Sequence, residues 1–217
     1  MFELNFVFFI LVVTYLSILF EIVVLPVPSV ASTYQLLFVN KVDAGVLKFE
    51  KDGLLRKTRQ LPLLLKLGML LIPTVLSVLN FVFPISVFFI PLEWVDMIII
   101  HELKSTFVLI TAVLFILAGR IIAIGSVINI RNKNTQQDDS FDLKTSGIFG
   151  FSRNPILIGM YICYWGIFLL VPNWITLLGF ILYSVNMHFR ILLEEDFLRS
   201  MFGDKFDKYF DNTRRYI

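Results

Sequence analysis

Cysteine is almost absent from this chain, because Cys163 is the only one among 217 residues. A disulfide within the chain is therefore excluded, and so is a metal site built on several thiolates. Histidine is nearly as scarce, and His101 lies in an acidic stretch with no second histidine or thiol beside it. We therefore expect no bound metal. Cys163 itself lies in an apolar run and is predicted to be a small buried hydrophobic residue.

Charge is also sparse, and neither sign dominates. Charged residues make up 17% of the chain and the formal net charge is +2. The basic residues lie between apolar segments, whereas nucleic-acid binding requires a continuous basic surface. We expect no nucleic-acid partner. The chain is instead 57% hydrophobic and contains 23 phenylalanines. A soluble core of this length cannot hide so much apolar surface, so the chain is predicted to be a membrane protein.

Five apolar segments are candidates to cross a bilayer, which takes about 20 helical residues. The predicted spans cover residues 4–25, 61–83, 105–130, 155–171 and 174–193. A cleaved signal peptide is the alternative for the first segment, but its apolar region is too long and no basic residue precedes it, so we expect it to be retained. No repeat and no separate soluble domain is evident, which predicts a single integral membrane domain over residues 1–217.

The charges of the connecting segments predict an orientation. Residues 41–66 hold seven of the 19 basic residues, and residues 131–153 and 190–215 are also basic, whereas residues 93–102 are acidic. An outside N-terminus places the three basic stretches, including the C-terminus, in the cytoplasm. Residues 41–66 fit either an interfacial segment against anionic lipids or a solvated connector.

The sequence thus predicts an all-α polytopic membrane bundle of about five transmembrane helices with an amphipathic C-terminal helix. That last helix is expected over residues 196–210, either as a lid over a site or as a membrane-surface anchor. Residues 84–102 are predicted to form a non-cytoplasmic connection with a short interfacial helix.

Polar residues inside two of the spans are candidates for a site. Arg120 lies about 16 Å along the helix from Arg131 at 1.5 Å per residue. At that depth an arginine is costly unless it is paired, borders a polar cavity, or extends to the head groups. The fifth span carries a polar residue at every third or fourth position: Tyr183, Asn186, Arg190 and Glu194. Such residues share one side of a helix and should face the bundle interior, although the last two could also simply pair.

The densest motif lies within residues 145–215. It consists of Gly147, which permits a tight turn, then Arg153-Asn154-Pro155-Ile156-Leu157-Ile158-Gly159, then Glu194-Glu195 with Leu198, and finally Phe202-Gly203-Asp204-Lys205-Phe206-Asp207-Lys208-Tyr209. This pattern resembles the C-terminal half of the isoprenylcysteine carboxyl methyltransferase and phospholipid methyltransferase families, in which Arg-His-Pro-x-Tyr-x-Gly precedes Glu-Glu-x-x-Leu. Two positions differ, because Asn154 replaces the histidine of those families and Leu157 replaces the tyrosine.

The resemblance implies an S-adenosyl-L-methionine-dependent methyltransferase that acts on a lipid-attached acceptor, with a prenylated cysteine carboxylate as the favoured substrate. By the same resemblance, the cofactor-binding residues are Gly147, Arg153, Asn154, Pro155, Leu157, Gly159, Glu194 and Glu195. Arg190 or Arg153 is expected to orient the acceptor, because a guanidinium can bind both oxygens of a carboxylate. Arg120, Tyr183 and Asn186 are candidate substrate-binding residues. Methylation of a lipid amine or another small hydrophobic molecule, an NADPH-dependent sterol-type reductase, and a non-catalytic relative remain alternatives.

Overall fold

Helices make up nearly all of the regular structure in a computed structural model that describes residues 2–24, 37–38, 41–42, 45–46, 53–134 and 143–216. The helices are α1 (Phe2–Val24), α2 (Leu54–Arg59), α3 (Leu63–Ser86), α4 (Leu92–Ile98), α5 (Thr106–Asn134), α6 (Pro155–Leu170), α7 (Trp174–Phe202) and α8 (Asp204–Asn212). Two-residue strands β1 (Lys41–Val42) and β2 (Gly45–Val46) pair antiparallel. The predicted all-α class is confirmed. Residues 135–142, which follow α5, lie outside the described residues.

Two of the described helices are long and apolar enough to cross a bilayer, namely Thr106–Ile130 within α5 and Trp174–Phe202, which is α7. Asn5–Glu21 within α1 and all of α6 are shorter apolar helices. Along α7, one side consists of large exposed apolar side chains: Leu178, Ile181, Leu182, Val185 and Phe189. Lipid tails are the medium that suits such a surface. The protein is therefore a helical membrane bundle, whereas five crossings and a cytoplasmic C-terminus stay predictions.

The hairpin between α6 and α7 is held tight by Asn173. Its side-chain Oδ1 accepts a hydrogen bond of 2.8 Å from the Thr176 N–H in the first turn of α7, which is a typical helix cap. Its Nδ2 donates to the Val171 carbonyl at 2.7 Å. The Ile100 N–H also donates to the Pro172 carbonyl at 2.9 Å. The turn thus fixes α6 and α7 next to each other and ties them to the segment after α4.

Small residues bring α5 and α6 into backbone contact. A Cβ atom on Gly119 would overlap backbone atoms of Gly159 and Cys163, and a Cβ atom on Gly159 would overlap the backbone of Ala123. Close approach through glycine is a common way for membrane helices to associate, because dispersion contacts replace the missing hydrophobic driving force. Gly159, a candidate cofactor-binding residue, thus packs against the backbone of α5.

We expect Gly119→Ala to lower the stability of the bundle by about 1–3 kcal/mol, because the added methyl group has no space between two backbones. Gly125→Ala on the same helix is the matched control, since a Cβ atom there meets nothing within 4 Å. Thermal unfolding of both variants in detergent measures the difference. Equal melting temperatures would show that α5 and α6 pack less closely than described.

The chain changes direction at Gly203, where φ is +50°. This left-handed conformation favours glycine, and it separates α7 from α8. The prediction of one amphipathic helix over residues 196–210 was therefore wrong about its start, because α7 continues to Phe202 and α8 begins at Asp204. The amphipathic character is confirmed for α8, which buries Phe206 and Tyr209 in a cluster with Leu143.

Candidate functional site

A buried ion pair joins the start of α6 to α7. Arg153, two residues before α6, places its Nη2 at 2.9 Å from Oε1 of Glu195, and its Nε donates to the same oxygen at 3.1 Å. The two side chains are only 7% and 10% exposed. A charge this deeply buried is tolerated when it is paired and hydrogen-bonded.

Arg153 also binds the segment that follows α7. Its Nη1 donates to the Phe210 carbonyl at 2.7 Å and to the Thr213 carbonyl. Its guanidinium lies 4.1 Å from the centre of the Phe210 ring, a distance at which a cation and an aromatic face attract each other. One side chain therefore links α6, α7 and α8, and most of its donors are used.

The last described residues, Thr213 to Tyr216, lie against this ion pair, and we call them the C-terminal strap. The Arg153 N–H donates to the Arg214 carbonyl at 2.9 Å. Nη2 of Arg215 lies 2.7 Å from Oε2 of Glu195, and its Nε donates to both carboxylate oxygens at 3.1 Å. Two guanidinium groups thus share the carboxylate of Glu195.

Asn154, where the families carry histidine, has a defined partner in the strap. Its Nδ2 donates to the Arg215 carbonyl at 3.1 Å, and the Ser152 hydroxyl donates to the same carbonyl at 3.2 Å. The Asn154 N–H in turn donates to the Ser152 hydroxyl oxygen at 3.1 Å. The side chain of Asn154 therefore fixes the backbone of the strap.

The last residue of the strap, Tyr216, contacts His188 on α7, a residue that the sequence analysis did not name. The Tyr216 hydroxyl lies 2.9 Å from Nδ1 of His188. His188 and Glu195 are seven residues apart, about two helical turns, and so occupy nearly the same side of α7. The spacing of His188 and Glu195 could have indicated that His188 lies near the site. No local pattern indicated Arg215 or Ser152.

The polar stripe on α7 occupies a different side of the helix from Glu195. Tyr183 is buried in an aromatic cluster with Tyr164 and Phe180. Within the described part of the chain, no hydrogen bond or ion pair connects Arg190 to Glu194, and the buried Nε of Arg190 has no hydrogen-bond partner. The two charges nevertheless lie close enough to interact, so the simple pairing of these residues stays a prediction.

The other predicted residues on α6 and before it are placed as follows. Gly147 has φ +69°, which is the tight turn expected of it. Pro155 occupies the first turn of α6, where its missing N–H leaves no bond unmade. Leu157 packs beside the aromatic cluster that contains Tyr161. Gly147 and Pro155 thus shape the chain just before and at the start of α6. Asn186, a candidate on α7, is half-buried.

Arg120 lies in a second buried polar cluster. Its Nη2 is 2.6 Å from Oε2 of Glu21 on α1, with side-chain exposures of 7% and 8%, and it donates to the Ser17 carbonyl at 3.0 Å. The side chain is therefore paired inside the bundle, which is one of the alternatives expected for an arginine at that depth. Among the described residues, this cluster and the Arg153 cluster share no partner.

Titratable groups in and near the strap have pKa values that are shifted from their ordinary values. Burial raises the pKa of Tyr209 to about 12, and its hydroxyl donates to the Phe149 carbonyl at 2.7 Å. The hydrogen bond to Glu195 raises the pKa of Arg215. Tyr209 therefore stays neutral and Arg215 stays charged at physiological pH.

These features define a helical membrane protein with a polar site where α6, α7 and α8 meet. Residues 107–205 match the family model described as phospholipid methyltransferase. The match covers a little under half of the chain, from α5 to the start of α8, and confirms the predicted resemblance there. It indicates a membrane methyltransferase. No curated protein and no solved structure matches the chain, and the C-terminal strap lies beyond the matched residues.

Proposed function

We propose that this protein transfers a methyl group from S-adenosylmethionine to an acceptor embedded in the membrane. The observation that carries the proposal is the unpartnered, buried Nε of Arg190, on the same side of α7 as Glu194. A buried donor without a partner costs about 1–3 kcal/mol, so such a group is expected where a ligand completes the site. The family match to residues 107–205 supports the reaction class.

The residues present fit this cofactor. S-adenosylmethionine has an ammonium group, ribose hydroxyls, a carboxylate and an adenine, and it supplies a methyl group on a sulfonium. Glu194 can accept from the ammonium or the ribose. For the remainder we propose residues before α6, namely Gly147, Arg153 and Asn154, and residues in its first turns, namely Pro155, Leu157 and Gly159. Glu195 is proposed to act indirectly. Its carboxylate binds Arg153 and Arg215 and so fixes the turn that precedes α6.

Arg190 is the arginine that we assign to the acceptor. Arg153 has committed most of its donors to Glu195 and to two backbone carbonyls, whereas Arg190 retains a free Nε. Its guanidinium can hold a carboxylate in line for attack, which lowers the entropy cost of the encounter. A carboxylate has no proton to lose before it is methylated, so this chemistry requires no general base.

The favoured acceptor is the carboxylate of a prenylated cysteine. Its lipid tail would reach the site from the membrane, and Arg120, Tyr183 and Asn186 are proposed to contact it. A lipid amine is the second candidate, which the match to phospholipid methyltransferases favours. An amine must first lose a proton, so methylation of an amine should rise with pH in a way that methylation of a carboxylate should not.

Calorimetric titration of the detergent-purified protein tests this proposal. We expect S-adenosylhomocysteine to bind and NADPH not to bind. Glu194→Gln should weaken binding of S-adenosylhomocysteine by roughly ten- to a hundredfold, because a charge-assisted hydrogen bond to a ligand contributes about 1.5–3 kcal/mol. Glu93→Gln, on the exposed surface of α4, is the matched control and should bind normally. Binding of NADPH alone would favour a reductase, and binding of neither ligand would favour a non-catalytic relative.

A further inference from the structure

Arg215 places a guanidinium at the edge of the site with donors to spare. Its Nε and Nη2 bind the carboxylate of Glu195, which leaves Nη1 on the far side of the group. Within the described residues, no acceptor contacts Nη1. The side chain is 27% exposed, whereas Arg153, on the same carboxylate, is 7% exposed. A guanidinium has five N–H donors, so Arg215 can bind Glu195 and a ligand at the same time.

Contacts of the Arg215 backbone and of the next residue, Tyr216, fix the position of this guanidinium. The Arg215 carbonyl accepts hydrogen bonds from Ser152 and Asn154, and the next residue, Tyr216, contacts His188 on α7. A donor that is already held in place loses little conformational freedom when a ligand binds.

The charge around Arg215 favours an anion. Arg153 and Arg215 together carry two positive charges, and Glu195 supplies one negative charge between them. The cluster is therefore positive by one unit. The planar fork of a guanidinium matches a carboxylate better than a point charge does.

We propose that Arg215 is a ligand-binding residue whose outer donors bind a carboxylate, supplied either by the amino-acid end of the cofactor or by the acceptor. The proposal rests on the proposed function, since it assigns a residue to that site. It also gives Asn154 a role specific to this chain, because Asn154 holds the backbone from which Arg215 extends. Arg215 lies beyond residue 205, where the family match stops, whereas its partners Asn154 and Glu195 lie within the match.

The test compares Arg215→Met with wild type in two measurements. Calorimetry gives the affinity for S-adenosylhomocysteine and for methylthioadenosine, which lacks the amino-acid end, and a methyl-transfer assay gives KM for a farnesyl-cysteine analogue. If the cofactor supplies the carboxylate, S-adenosylhomocysteine should bind about tenfold more weakly or worse while methylthioadenosine binds as before. If the acceptor supplies it, KM should rise by a similar factor with S-adenosylhomocysteine binding unchanged.

Arg214→Met is the matched control, because it removes the same charge from the neighbouring residue. The side chain of Arg214 is exposed, and its contact with the Arg153 N–H is made by the backbone carbonyl, which the substitution retains, so both measurements should remain at wild-type values. Tyr216→Phe removes the hydroxyl that contacts His188 but retains the charge and donors of Arg215, whose carbonyl and guanidinium keep their other contacts. A loss in Tyr216→Phe as large as that in Arg215→Met would overturn the proposal, because docking of the strap would then explain the effect.

Arg215→Lys covers the case in which Arg215→Met does not fold. Lysine can pair with Glu195, but its ammonium is a point charge on a flexible stem and lacks the planar fork that binds a carboxylate through two donors, so we expect a severalfold loss in the same measurement. Wild-type values in Arg215→Lys or Arg215→Met refute the binding role of Arg215. A wild-type protein that neither binds S-adenosylhomocysteine nor transfers methyl groups refutes the proposed function itself.

Discussion

Glu195→Gln is expected to destabilise the protein by about 3–5 kcal/mol and to remove cofactor binding with it. The substitution leaves Arg153, which is 7% exposed, without its counter-ion, and a buried charge that loses its partner typically costs this much. The carboxylate of Glu195 also holds Arg215, so one change releases both the turn before α6 and the C-terminal strap. Thermal unfolding in detergent, followed by titration with S-adenosylhomocysteine, measures both effects.

The neighbouring Glu194→Gln is the matched comparison. Glu194 lies one residue earlier on α7, and within the described part of the chain no hydrogen bond or ion pair of its carboxylate is seen. We therefore expect it to weaken ligand binding with little loss of stability, whereas Glu195→Gln should lower both. If the two variants lose stability equally, the two carboxylates do not have the separate roles that we assign to them.

The sequence was sufficient to locate the long helices and to name candidate residues for a site. Apolar runs of membrane length and prolines at helix starts are local signals, and they placed α1, α3, α5, α6 and α7 to within a few residues, except that α7 continues to Phe202. Arg153, Glu194 and Glu195 were named as candidate site residues because they lie in the motif that resembles the methyltransferase families. The predicted end of α7 was too early. Polar residues such as Glu194 mark where the apolar segment ends, but the helix itself continues to Phe202.

The partners of these residues could not be predicted in the same way. Asn154 donates to a backbone carbonyl of Arg215, 61 residues away, and a carbonyl gives no signal in a sequence. The partner of Arg120 could not be named from the sequence, because its identity as Glu21 depends on how α1 packs against α5. Long-range pairs of this kind follow from the packing of the helices and not from any local pattern.

Breaking the buried ion pair between Glu21 and Arg120 is expected to have the second large effect on the stability of the bundle. Arg120→Leu or Glu21→Leu alone should destabilise the bundle by about 3–5 kcal/mol, because each leaves a nearly buried charge without its partner. The double variant should recover most of that loss, since replacing both members of a buried pair by apolar groups is often neutral or better. Unfolding of the two single variants and the double variant in detergent completes the cycle.

The same double variant separates a structural role of Arg120 from a role in substrate binding. Two nitrogens of Arg120, Nε and Nη1, are buried without hydrogen-bond partners among the described residues, which supports its proposed contact with the acceptor. If that contact exists, the double variant should unfold like the wild type and yet show a raised KM for a farnesyl-cysteine analogue, with S-adenosylhomocysteine binding unchanged. Recovery of both stability and KM would show that Arg120 only joins α5 to α1, because an arginine that binds the acceptor cannot be replaced by leucine without loss of affinity.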